Sequence, residues 1–220
     1  MDSEYTHITI ILDRTGSMES IRDDTIGGFN AFLDEQQDTP GRATMTLVQF
    51  DSRNPYEVIY KFTPITELDK LDRSTYVPRA STPLFDAVGR GINALAQQLG
   101  RLNEGNIPAR VVFVIVTDGK ENASCEFRRD QIERMIAEKQ ELENWQFVFL
   151  SADLAAIREA ESVGFMREKS LAFDKSSLGT SRAWGSLSGR VSDYRSDRKP
   201  EVEFDEEDRD QQASEGKRKL

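Results

Sequence analysis

The chain has one cysteine, Cys125, and one histidine, His7. A single cysteine excludes a disulfide within the chain. With only one histidine beside it, the Cys/His ligand sets of zinc sites are excluded as well. No apolar run approaches the roughly 20 residues that cross a bilayer as a helix. The opening residues Met1-Asp2-Ser3-Glu4 are polar and acidic, unlike a signal peptide. These absences lead us to expect a soluble cytoplasmic protein with no membrane partner. Positive charge is also scarce: 29 Lys and Arg stand against 39 Asp and Glu, for a formal net charge of -10. Such a chain repels phosphate backbones, so nucleic acid is not an expected partner.

What is present is an alternation of short β-branched runs and amphipathic stretches. Strands are expected at 8–12, 44–50, 56–62, 111–116 and 145–150, with a last short one within 163–173. Asp51-Ser52-Arg53-Asn54-Pro55 is short enough for a hairpin, so the third strand should lie antiparallel at the sheet edge. Helical spacing runs through Ile21, Ile26, Phe29, Phe32 and Leu33, and again over 84–99, 129–142 and 153–162. This order predicts an α/β fold: a doubly wound, mostly parallel six-stranded sheet with helices on both faces and one antiparallel edge strand. The expected organisation is a domain over 1–175, a helical extension over 176–195, and a charged tail without structure over 196–220. Only Val202 and Phe204 in that tail suggest a contact.

Three polar segments carry the chemistry. Asp13, Thr15 and Ser17 follow the first strand with D-x-T-x-S spacing. Thr82 precedes Pro83 at the start of a helix, and Asp118 follows the long central run in Thr117-Asp118-Gly119. In a doubly wound sheet all five fall at the carboxyl edge, where ligands bind. Two carboxylates and three hydroxyls are hard oxygen donors, suited to Mg2+, with Mn2+ or Ca2+ as alternatives. Each segment alone reads more simply as a helix cap or a turn. Taken together they favour a metal site.

These segments resemble the metal-ion-dependent adhesion site of von Willebrand factor A domains, with Thr15 where Ser is usual. The resemblance covers roughly residues 5–173 in element order, and is strongest to small intracellular bacterial or phage members. It implies a Rossmann-like fold and metal-dependent protein binding without catalysis, completed by an Asp or Glu carboxylate of a protein partner. It further implies that Thr15 and Ser17 bind the metal directly, Asp13 and Asp118 directly or through water, and Thr82 according to the state of the site.

Other readings are weaker on the residues. A phosphotransferase of the dehalogenase type needs a second carboxylate where Thr15 stands. A Ser17 hydrolase has only His7 as base, about 20 Å away at ~3.3 Å per strand residue. A structural scaffold without metal leaves the hydroxyls and carboxylates unexplained. Gly89-Arg90-Gly91-Ile92-Asn93-Ala94 matches a dinucleotide fingerprint, but it falls inside a helix rather than opening one. Asp86 is expected to be structural, Arg14 and Lys120 to be solvated loop charges, and Cys125 to be an inert thiol.

Overall fold

The computed structural model describes residues 2–213. Six strands among them form one sheet: β1 (Asp2–Asp13), β2 (Ala43–Asp51), β3 (Asn54–Pro64), β4 (Pro108–Thr117), β5 (Gln146–Ser151) and β6 (Ser170–Ala172). Their order is β3-β2-β1-β4-β5-β6. All neighbours are parallel except β2 and β3, which are antiparallel, so the hairpin strand lies at the edge as its short connector required. Helices α1 (Arg22–Asp38), α2 (Leu84–Leu99), α3 (Arg129–Glu143), α4 (Leu154–Glu161), α5 (Ser177–Arg195) and α6 (Glu206–Ala213) complete the chain.

Two apolar layers sandwich the sheet. On one face Ile8, Ile10, Leu12, Val112, Val114 and Val116 meet α1 and α5 through Phe29, Phe32, Trp184 and Leu187. On the other, Ile11, Phe113, Ile115, Phe147 and Phe149 meet residues of α2, α3 and α4. Burial on both faces is why β4 reads as a continuous apolar run rather than an alternating one. The glycine fingerprint at 89–94 indeed lies within α2. A Cβ on Gly91 would stand 2.8 Å from the Phe113 ring and 3.0 Å from Ile11 Cδ1, so glycine there lets the helix press against the sheet.

The segment after Arg195 departs from expectation. Val202 and Phe204 are buried in the α1/α5 layer, and α6 follows them. The Phe204 N–H donates to the Glu168 carbonyl at 2.8 Å, and Arg209 donates to the Ser170 and Arg167 carbonyls at 3.0 and 2.8 Å. Arg190 on α5 pairs with Asp208 at 2.8 Å and Asp205 at 2.5 Å. Composition counted these charges as solvated. Instead they pair with one another and with main chain, around two apolar anchors that insert into the core. Residues 214–220, the end of the expected tail, lie outside the described residues. Among the described residues, no helix is long and apolar enough to cross a membrane.

Candidate metal centre

The strand order reverses between β1 and β4, and a doubly wound sheet opens a crevice where that happens. β1 ends at Asp13 and β4 ends at Thr117, side by side. The first and third polar segments therefore meet at this point by topology alone.

Asp13 is wholly buried. Its Oδ1 accepts the Thr15 N–H at 2.7 Å, and its Oδ2 accepts the Thr117 hydroxyl at 2.6 Å. Burial pushes the carboxyl up to about 7. Hydrogen bonds from Thr117 and Thr15 oppose that push, and the charge of Asp118 adds to it. Thr15 Oγ1 lies 3.3 Å from Ser17 Oγ, and Ser17 Oγ donates to Asp118 Oδ1 at 2.6 Å. Thr15 is buried while Ser17 is exposed, so the cluster opens to solvent on the Ser17 side. Thr15 precedes the 3-10 turn Gly16–Ile21 without a side-chain cap bond, so these hydroxyls are not occupied as helix caps.

Thr82 reaches the cluster on a different segment. The stretch before it is laced to the first loop. The Tyr76 hydroxyl donates to the Asp13 carbonyl at 2.5 Å, Arg79 N to the Arg14 carbonyl at 2.8 Å, and Gly16 N to the Ala80 carbonyl at 3.0 Å. Thr82 itself exchanges hydrogen bonds with Asn122: its N–H donates to Asn122 Oδ1 at 2.9 Å, and Asn122 N donates to its carbonyl at 3.0 Å. A Cβ built on Gly119 would stand 3.9 Å from Ser17 Oγ and 4.0 Å from Thr82 Oγ1. The two hydroxyls thus face the same glycine, next to Asp118.

The reading of Thr82 as a helix cap is corrected. α2 begins at Leu84 after Pro83, with no side-chain cap bond from that residue. Its first N–H groups are satisfied from the loop after β4, where Glu121 accepts from Phe85 N at 2.9 Å and Ser124 Oγ accepts from Asp86 N at 3.1 Å. Asp86 returns the tie, accepting Cys125, Glu126 and Phe127 N–H groups at 2.9 Å each. Its role is to fasten that loop. Arg14 is a second correction. It is 5% exposed and pairs with Asp51 at 2.6 Å and with Glu57. The β2–β3 hairpin supplies both acids, which local sequence around Arg14 does not reveal.

No motif pointed to Lys175, in the loop between β6 and α5. Its ammonium stands 2.8 Å from Asp118 Oδ2. The angle does not make this a hydrogen bond, and Asp118 Oδ2 is a buried oxygen with no hydrogen-bond donor among the described residues. The only available signal was position: this loop also leaves the carboxyl end of a strand.

The residues fit a hard divalent cation. Two buried carboxylates lie at the ends of neighbouring strands, one oxygen of Asp118 has no hydrogen-bond donor among the described residues, and the hydroxyls of Thr15, Ser17 and Thr82 lie on the segments beside it. Among the described residues, no group of three or more His, Cys, Asp or Glu is arranged to hold a metal. An ion here would have to be held by hydroxyls as much as by acids, which would leave few protein charges on it.

No family model matches the sequence, and no curated protein matches it. Solved structures do. A von Willebrand factor type A protein from Catenulispora acidiphila aligns over 86% of this chain and 43% of its own, at 13% identity and a TM-score of 0.54. Proximal thread matrix protein 1 of the mussel byssus, solved with a zinc-occupied MIDAS motif, aligns over 86% of this chain and 46% of its own, at 12% identity and 0.58. The manganese-loaded TRAP protein of Plasmodium vivax aligns over 80% of this chain and 70% of its own, at 14% identity and 0.52. The chain spans less than half the length of the first two. At these identities the likeness is one of architecture, and on it the chain has the von Willebrand factor A-type fold.

Proposed function

We propose that this chain is a non-catalytic, metal-dependent protein-binding module. Asp13, Thr15, Ser17, Thr82 and Asp118 would hold a divalent cation, Mg2+ in the first place and Mn2+ or Ca2+ otherwise. The observation that carries this reading is that those five residues meet at the β1/β4 switch point, where one buried oxygen of Asp118 has no hydrogen-bond donor among the described residues. A zinc-occupied and a manganese-loaded neighbour of the same fold support a divalent ion in general.

A hard cation with few charged ligands would supply an electrophilic position open to a further carboxylate. The chain's own residues supply the rest. Asp13 and Asp118 would supply the negative charge that faces the ion. Thr117 and the Thr15 N–H orient Asp13, and the Thr82–Asn122 pair fixes the third segment. Ser17 leaves the open side toward solvent, where an Asp or Glu of a protein partner can arrive. His7 supports the non-catalytic reading. It is buried within the sheet, between Thr44 and Thr9 hydroxyls at 2.8 and 3.2 Å, and so is not a base for Ser17. The net charge of -10 disfavours nucleic acid as the partner, and the exposed, unpaired Cys125 suits a reducing cytoplasm.

Calorimetric titration of Mg2+ and Mn2+ into the wild type and Asp13→Ala tests the assignment. Saturable uptake that the variant loses is the expected result. Equal uptake by the variant overturns it.

A further inference from the structure

Lys175 belongs to the site by position but not by chemistry, since an ammonium cannot ligate a metal. Its stem is held firmly. Phe173 is buried and its N–H donates to the Ser151 carbonyl at 3.0 Å. Ser176 N donates to the Asp174 carbonyl at 2.7 Å, and Ser176 Oγ caps α5 by accepting Gly179 N at 3.0 Å. Glycine is required at 179, where a Cβ would stand 2.5 Å from the Asp174 carbonyl oxygen. From this fixed base a flexible side chain carries the ammonium inward. That side chain is 40% exposed, so it can leave for water without opening the core.

The two oxygens of Asp118 are already divided. Oδ1 takes the Ser17 hydroxyl at 2.6 Å, and Oδ2 faces the ammonium at 2.8 Å. A divalent ion on Oδ2 needs a separation near ~2.1 Å. The ammonium and the ion would then be like charges on one buried oxygen, where repulsion is poorly screened. We infer that Lys175 is a tethered competitor of the metal. Its ammonium neutralises Asp118 in the metal-free chain, and a divalent cation enters by displacing it into solvent. This rests on the metal-site reading and adds a threshold to it: the chain carries its own stand-in cation, which sets how much free metal is needed to open the site to a partner.

Calorimetric Mn2+ titration of the full chain as wild type, Lys175→Met and Lys175→Arg tests the inference. An ammonium docked about nine-tenths of the time weakens apparent affinity about tenfold. Lys175→Met should therefore bind Mn2+ about tenfold more tightly than the wild type, while Lys175→Arg, which keeps the charge, should gain nothing. Equal or weaker binding by Lys175→Met overturns the inference and leaves the metal site standing. Binding by Lys175→Met alone supports both. No binding by any form overturns the metal-site reading, and this inference with it. A second readout needs no variant. Acylation of the Lys175 amine in the wild type, followed by peptide mass spectrometry, should be slow in EDTA and faster in saturating Mn2+. A rate unchanged by metal overturns the displacement.

Discussion

Asp13→Asn isolates what the candidate metal site takes from the stability of the fold. The Asp13 carboxyl is wholly buried, and burial pushes it up to about 7 from an ordinary value of 3.8. Between those values the folded chain keeps a proton that the unfolded chain has released. Stability from this group is therefore present at acid pH, falls as pH rises from about 4 to about 7, and is gone above that. Three pH units correspond to roughly 4 kcal/mol. Asparagine carries no charge, its carbonyl can still accept the Thr15 N–H, and its amide can donate to Thr117 Oγ1. In EDTA at pH 8 the variant should unfold at higher urea, by the equivalent of about 2–4 kcal/mol, whereas the two curves should nearly meet at pH 4. Mg2+ at pH 8 should raise the wild-type midpoint by mass action and leave the variant where it is. The reasoning is refuted if the EDTA curves coincide at pH 8, or if their separation does not change with pH.

Two further predictions address the fold. His7 is buried, stacks on Phe62 at a centroid distance of 4.0 Å, and is pushed down to about 3 by burial. The unfolded chain binds that proton near 6.5, so stability is full above 6.5 and falls by up to about 1.4 kcal/mol per pH unit below it. His7→Gln should flatten the acid limb of a plot of urea midpoint against pH between 6 and 4, and an unchanged slope would rule His7 out as its source. Phe204→Ala should remove about 3–5 kcal/mol in urea unfolding, the range for a buried Phe truncated in a core, and a neutral effect would mean that the tail segment does not anchor.

The layered sheet was legible because each strand and helix declares itself locally. The run at 111–116 must be buried on both faces, and the short connector at 51–55 forces an antiparallel neighbour. That the five candidate residues share one edge was legible for a related reason: each follows a strand or precedes a helix, and a doubly wound sheet delivers such positions there. What stayed hidden were partnerships between charges far apart in sequence. Arg14 looks solvated until the β2–β3 hairpin brings Asp51 and Glu57 to it. The segment after Arg195 looks unable to fold until Val202 and Phe204 find the layer between α5 and the sheet, and Arg190 and Arg209 find acids and carbonyls. Composition reports how much charge a segment holds, not whether that charge meets its opposite.

Lys175 shows the same limit inside the candidate site. Candidate donor atoms follow from a local pattern, because a hard cation needs oxygens and only certain residues offer them. A competitor follows no pattern, because any flexible cation rooted at the same edge can serve. Its effect depends on geometry alone: an ammonium 2.8 Å from a buried oxygen that nothing else satisfies. Two buried carboxylates side by side are unfavourable in a chain without metal, and the fold answers each differently. Burial holds a proton on Asp13, and Lys175 lends a charge to Asp118. A divalent ion would have to remove both, releasing a proton and an ammonium together. Metal affinity should then rise with pH through about 7, as Asp13 gives up its proton.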